Sequence, residues 1–207
     1  MTIRAVSVDR SAHPLFQAGG GGSNPTTALS LTVEECSYET AERLNCAWHS
    51  VLPRCDKGSM WRGFRAAFCA VFDGRIFAVA IWSSPMTQAV DDGSTAELRR
   101  FAIAPDAPRY TGSRMLAIMV RMMRRKYPTL RRAISYQAVD AHAGTIYKAA
   151  GWTAGRTTAF SAWGQRKRRA PRSDRQRDAA VGGYVNTPSN RRPAQIESDK
   201  VRWELAL

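Results

Sequence analysis

Apolar and polar positions along this chain fall into short alternating runs, interrupted by two stretches at helical spacing. LSLTVEEC at 29–36 alternates like a first strand. Residues 38–48 place Ala41, Leu44 and Ala47 on one stripe behind Ser37, which predicts a helix starting near that serine. FRAAFCAVF and RIFAVAIWSSP flank an Asp73-Gly74 turn signal and predict two antiparallel strands. After DDGST, ELRRFAI at 97–103 predicts another strand. Residues 114–126 then set Met115, Leu116, Met119, Val120, Met122 and Met123 on one helical face, with Arg114, Arg121 and Arg125 on another. RRAISYQA reads as a strand, and HAGTIYKAAGW as a short helix ending in a tight turn. KVRWELAL at the end alternates again, with Val201, Trp203, Leu205 and Leu207 on one face, and predicts a closing strand.

This order of strands and helices predicts a mixed α/β (α+β) domain around a single twisted sheet. A chain of 207 residues is long enough for a full hydrophobic core. Residues 29–162 are the expected catalytic domain. Residues 1–28, with GGGGSNPTT, read as a flexible lead-in. Residues 163–195 read as a basic mobile insertion, because GQRKRRAPRSDRQR has almost no apolar content. Residues 196–207 are left as the closing strand.

Charge changes this picture more than size does. The net charge is +14, with −1 over residues 1–96, +8 over 97–152 and +7 over 153–207. That asymmetry favours a polyanionic partner, nucleic acid above all. No apolar run approaches a membrane span and no signal-peptide core opens the chain, so a cytoplasmic protein without a membrane partner is expected. Cys36, Cys46, Cys55 and Cys69 form no CxxC pair, which argues against structural zinc; Cys69, inside AAFCAVF, reads as a buried thiol.

The densest chemistry lies in residues 97–152. Tyr110-Thr111-Gly112-Ser113 enters the long helix, with Ser113 as the expected N-cap and Gly112 letting the backbone approach a ligand closely. Helix-start N–H groups and the helix dipole favour a phosphate. The strand, Arg109-x-x-Gly112-x turn, helix and strand resemble the acyl-CoA-binding heart of the GNAT acyltransferases. Arg114 stands where their fuller turn carries a second glycine.

ELRRFAIAPDAPRYTGSRML followed by AISYQAVDAHAGTIYKAAGW resembles the Mom-type DNA-modification proteins of bacteriophages. The resemblance implies a GNAT-like transferase that converts the exocyclic N6 of adenine in phage DNA to a carbamoylmethyl derivative, protecting it from restriction. It covers roughly residues 46–155. It implies roles for Arg100 (the ELxR arginine), Ser113 and Tyr147 (the GTIY tyrosine), with His49 near the family's early histidine and Asp140 offered for the family's acid. Arg100, Arg109, Gly112, Ser113 and Arg114 would hold an acyl-CoA-like donor. His49, Asp140 and Tyr147 would be catalytic, with His49 and Asp140 also ligands if divalent iron takes part. The adenine amine is a poor nucleophile, so transfer to it needs positioning and a nearby base; His49 and Asp140 are the candidates, with His142 a third.

A base-modifying enzyme must reach its base outside the stack, and Trp48, Trp61, Trp82 and Tyr136 are candidate stacking partners. Arg121, Arg125, Arg166, Lys167, Arg168 and Arg169 would contact the DNA backbone. Two other readings stay open: an acetyl-CoA-dependent GNAT N-acyltransferase acting on a small amine or a premodified base, and a non-catalytic DNA-binding protein on the same fold.

Overall fold

The structure is a computed structural model that describes residues 24–49, 63–87, 89–158 and 198–207. The elements in chain order are β1 (Thr32–Glu35), α1 (Tyr38–Trp48), β2 (Phe64–Phe72), β3 (Arg75–Ser83), β4 (Thr95–Ile103), α2 (Thr111–Lys126), β5 (Arg132–Ala138), α3 (Thr145–Ala149), β6 (Thr153–Thr158) and β7 (Lys200–Ala206). The strands form one seven-stranded sheet in the order β1-β2-β3-β4-β5-β7-β6. Every neighbouring pair is antiparallel except β4 and β5.

The hairpin between β2 and β3 closes through Asp73 and Gly74, both at positive φ, as an Asp-Gly turn requires. α1 begins where the sequence places it, with Ser37 Oγ accepting from Thr40 N–H at 3.1 Å. The closing strand forms too, wedged between β5 and β6, and Trp203, Val201, Leu205 and Leu207 all join one core cluster. Cys69 is buried in β2 as expected.

Several expectations are corrected. LSLTVEEC divides into a 3-10 turn, Ala28–Ser30, and the short β1, because Ala28 and Leu31 turn into the core. α2 starts at Thr111, three residues ahead of the expected start. Its N-cap is Tyr110 in the left-handed region (φ 69°), and Ser113 lies inside the first turn with its Oγ donating to Tyr110 O at 3.2 Å. β6 has no counterpart in the sequence reading. Its TAGRTT is almost wholly exposed, so no apolar alternation marks it, and pairing with β7 makes it a strand.

The two faces of the sheet are covered differently. α1 packs on one face through Tyr38, Ala41 and Leu44 against Cys69, Val79, Ile81 and Ala102. α2 packs on the other through Met115, Leu116, Met119 and Met123, joined there by Tyr147 of α3. β4 and β5 pair only from Thr95↔Arg132 to Leu98↔Ser135. Beyond that point both strands run on unpaired with each other and a gap opens through the sheet. In β4, Leu98 faces Trp82 of β3 and Arg100 faces Ile81, so Arg99 is an extra, bulged residue.

Candidate active site

The gap between β4 and β5 is a cavity of about 730 Å³. Its walls come from the end of α1, the outer half of β4, β5, the loop before α3, α3 itself and the start of β7. The parallel ladder makes this location unavoidable. Two strands held together at one end and diverging at the other leave their backbone edges facing a common space.

On the α1 side the lining is polar and charged. His49 is the C-cap of α1, its N–H bonded to Asn45 O at 2.9 Å. Burial, the neighbouring Arg100 guanidinium and His142 push its pKa down to about 4, so His49 is neutral at pH 7. Glu97 is 6% exposed and accepts from Met86 N–H at 3.0 Å, with Arg99 Nε 3.6 Å away. Burial raises the Glu97 pKa, although the Met86 bond, Arg99, Arg100 and Lys200 pull the other way. Lys200 of β7 completes the wall, its pKa lowered by burial and by Arg100. Among the described residues lining the cavity, Glu97 is the only carboxylate, facing Arg99, Arg100 and Lys200.

On the opposite side the lining is neutral and tightly bonded. Tyr147 stacks on Trp203 (centroids 5.3 Å apart, planes at 11°) and meets Trp152 edge-on at 5.6 Å. Its hydroxyl lies 3.0 Å from Ser135 Oγ, which donates to Leu98 O at 3.1 Å. Burial raises the Tyr147 pKa, and the Ser135 bond opposes that rise. Gln137 ties the wall together. Its Oε1 accepts from Trp203 Nε1 at 2.6 Å and its Nε2 donates to His142 O. Gly144 sits under this lattice at φ +69°, and an added Cβ there would collide with the Trp203 ring and with Gln137 Oε1.

Of the residues singled out in the sequence, His49, Arg100 and Tyr147 meet in this cavity. Asp140 does not line it: it is exposed on the turn after β5, its N–H bonded to Ser198 Oγ at 3.3 Å. Arg109, Gly112, Ser113 and Arg114 lie outside the cavity lining as well. The side of Gly112 where a Cβ would stand is filled, 3.0 Å from Ile146 Cγ2 and 3.1 Å from Ile103 Cδ1. This glycine serves close packing of α2 against β4 and α3. Arg114 instead reaches Leu29 O, its Nη2 donating at 3.5 Å. Arg121 and Arg125 are exposed on α2, whereas Arg166, Lys167, Arg168 and Arg169 lie outside the described residues. Trp48 and Tyr136 line the cavity; Trp82 is wholly buried with its Nε1 on Met119 Sδ, and Trp61 lies outside the described residues.

Glu97, Ser135, Gln137 and Lys200 carry no role in the sequence reading. For Glu97 a signal exists: it is one of only three acids in residues 97–152, a stretch of net charge +8, and it opens a predicted strand. For the other three no local signal exists, since each depends on which strand lies beside which.

Among the described residues no three His, Cys, Asp or Glu side chains converge. His49 feels both Arg100 and His142, a field that disfavours a further cation, and Asp140 stands apart. These donors do not fit divalent iron. The cavity fits the reactive end of an acyl donor. The turn at Tyr110–Arg114 is not part of the lining of this cavity. No described helix is long and apolar enough to cross a membrane.

Comparison with known structures places the fold. An acetyltransferase from Bacillus subtilis in complex with CoA matches with a TM-score of 0.54 at 11% identity, over 86% of this chain and 99% of that one. A ribosomal-protein-alanine N-acetyltransferase from Brucella melitensis matches with a TM-score of 0.54 at 13% identity, over 86% and 100%. A GNAT family acetyltransferase from Elizabethkingia anophelis with acetyl-CoA bound gives 0.51 at 11%, over 86% and 99%. No curated protein matches the sequence. The sequence model of the Mom protein family matches residues 30–202. Family and fold together support an acyl-transfer-type enzyme, and by a match over most of its length this chain belongs to the Mom protein family, on the fold of the GNAT acetyltransferases.

Proposed function

We propose that the protein is a transferase acting on the exocyclic N6 of adenine in phage or mobile-element DNA, adding a carbamoylmethyl-type group that protects the DNA from restriction. The observation that carries this reading is the composition of the gap. A buried carboxylate and cations line one side, and a buried tyrosine hydroxyl lines the other. An amine acceptor needs a base beside it, and a departing carrier needs an acid.

Glu97 is the stronger base of the two candidates at the acceptor side. The pKa of His49 is held down to about 4, whereas that of Glu97 is raised from its ordinary range. The N6 lone pair forms the new bond to the electrophilic carbon of the donor, and the bond from that carbon to its carrier breaks. Glu97 takes the N6 proton, and Tyr147 gives its hydroxyl proton to the carrier. His49, neutral, orients the base by hydrogen bonding, and Trp48 and Tyr136 are placed to stack on it.

Arg100 and Lys200 suit the phosphates flanking a base drawn out of the stack. Chain connectivity supports the same partner. β6 ends at Thr158 and β7 begins at Lys200, and the run of arginines lies between them in the sequence. Thr158 pairs with Lys200, which lines the cavity, so the two ends to which that basic sequence is joined lie beside it. A bacterial host cytoplasm, where phage DNA is exposed to restriction, is the corresponding location.

The test is mass spectrometry of nucleosides from cells expressing the full chain, set against Glu97→Gln. A mass-shifted deoxyadenosine in the wild type that vanishes in the variant supports the reading. Unmodified DNA combined with acetyl-CoA turnover on small amines overturns it in favour of a GNAT N-acyltransferase. Unmodified DNA without any turnover, from a protein that still binds DNA, leaves a non-catalytic binder.

A further inference from the structure

The hydrogen bonds around Ser135 fix the direction of a proton. A serine hydroxyl carries one proton and a carbonyl oxygen none. Ser135 Oγ lies 3.1 Å from Leu98 O and 3.0 Å from the Tyr147 hydroxyl. For both bonds to exist, Ser135 must donate to Leu98 and accept from Tyr147. At rest, then, the Tyr147 proton points at Ser135, and Tyr147 turns lone pairs towards the cavity.

The sheet fixes the position of Ser135. Leu98 and Ser135 are the last paired residues before β4 and β5 separate, so Ser135 stands at the apex of the gap. It is 2% exposed. Tyr147 is clamped between Trp203 and Trp152, which leaves its hydroxyl only rotation about the C–O bond.

We infer that Ser135 is a positioning residue that reverses its hydroxyl during the reaction, holding Tyr147 protonated at rest and donating to the tyrosinate once that proton has left. This rests on Tyr147 being the proton donor proposed above. When the carrier atom of the donor arrives, the phenol O–H swings from Ser135 to that atom, its O–H bond breaks and the carrier leaves protonated. The Ser135 O–H, released from accepting, turns from Leu98 O to the phenolate without breaking any bond to hydrogen. Leu98 O goes without that partner only for the interval. Solvent returns to Tyr147 the equivalent of the proton Glu97 accepted, and Ser135 turns back. Burial alone makes a tyrosinate unfavourable, and the Ser135 bond counters it. An alanine there would strand both the phenolate and the Leu98 carbonyl.

The experiment uses the full chain as wild type, Ser135→Ala, Ser135→Thr, Tyr147→Phe and the Ser135→Ala/Tyr147→Phe double variant. One readout is the rate of adenine modification in cells. The other is the titration of Tyr147 in purified protein by 19F NMR after 3-fluorotyrosine labelling, which lowers the phenol midpoint, with the resonance assigned by its loss in Tyr147→Phe. We expect Ser135→Ala to slow modification by roughly 10- to 100-fold, on the scale of general acid catalysis. We also expect it to shift the Tyr147 titration to higher pH and to add nothing in the Tyr147→Phe background, while Ser135→Thr restores the titration. An unshifted titration, or a loss in the double variant equal to the sum of the two single losses, overturns the inference. If Tyr147→Phe abolishes modification and Ser135→Ala leaves it intact, the Ser135 inference alone fails. If Tyr147→Phe modifies DNA at the wild-type rate, the proton-donor reading of Tyr147 fails with it.

Discussion

The two walls of the gap are made of opposite materials. The α1 side brings Glu97 together with Arg100, Lys200 and two histidines, all within reach of one another's fields. The α2/α3 side is a neutral lattice of Tyr147, Trp203 and Trp152 in which Ser135 and Gln137 each satisfy two partners. One wall keeps charges whose protonation a ligand can change; the other keeps neutral groups whose geometry a ligand cannot easily change. Such a division suits a transfer reaction. A charged, variable acceptor is handled on one side, and the reacting bond is held in fixed geometry on the other.

The largest effect should follow from disturbing the rigid wall. Gly144→Ala puts a Cβ into the Trp203 ring at a positive φ, so overpacking adds to backbone strain. We expect a loss of about 2–5 kcal/mol, read as a lowered melting temperature. A melt within a degree or two of the wild type would mean that the Gln137–Trp203–His142 lattice yields easily, and the contrast between the walls would be lost.

On the charged wall, Glu97→Gln should cut turnover by about 10²–10⁴-fold, the range of general-base catalysis, and yet stabilise the fold at neutral pH. The sign follows from burial. The folded pKa of Glu97 is raised, so folding favours its protonated form; its contribution is intact below the ordinary glutamate pKa and is lost as pH rises through the folded value. The glutamine variant removes that loss. Melting curves from pH 4 to 8 that stay parallel for the two proteins would show that Glu97 is not destabilised by burial.

The two walls were not equally legible in the sequence. The frame was: apolar runs around an Asp-Gly turn mark β2 and β3, ELRRFAI marks β4, alternation marks β7 and Ser37 marks the start of α1, because these depend on local pattern and capping. His49, Arg100 and Tyr147 were found through motifs that a family resemblance made visible. Arg100 shows the limit of pattern alone. Strict alternation from Glu97 would put Arg99 on its face and Arg100 on the other, and only the bulge at Arg99 brings Arg100 round to Glu97. Ser135 and Gln137 were illegible for another reason. Their partners, Leu98, Tyr147, His142 and Trp203, are fixed by strand order, and β7 lies between β5 and β6 against the order of the chain. Asp140 drew notice through the resemblance and Gly112 through the turn entering α2, but one sits on an exposed turn and the other under Ile146.

His49 offers a gentler probe of the charged wall. Its folded pKa of about 4 lies below the ordinary histidine value, so the unfolded chain binds the proton first. Its contribution to stability is complete above about pH 6.5 and declines as pH falls towards 4. His49→Asn should flatten that stretch of the stability profile. In wild-type protein, a short single-stranded oligonucleotide should raise the His49 titration seen by NMR, because phosphates offset Arg100. The same oligonucleotide should leave Tyr147 unmoved. A Tyr147 shift as large as that of His49 would show that the walls do not divide the work.

The smallest effect concerns Lys200. A lysine that neutralises one phosphate releases about one counterion, so Lys200→Gln should lower the salt slope of oligonucleotide binding by about one unit and weaken binding several-fold at low salt. Its register partner Ala138 lines the same cavity, so substituting the lysine head removes charge without disturbing the β5–β7 pairing, which is made by backbone. Ser135→Ala on the other wall serves as the control, because it changes no charge and should leave the slope where it is. Fluorescence anisotropy across a salt series measures both. If Lys200→Gln keeps the wild-type slope while Arg121→Gln on the exposed face of α2 reduces it, the nucleic acid lies along α2 instead. The cations of the gap would then serve the donor, and the assignment of the two walls would have to be exchanged.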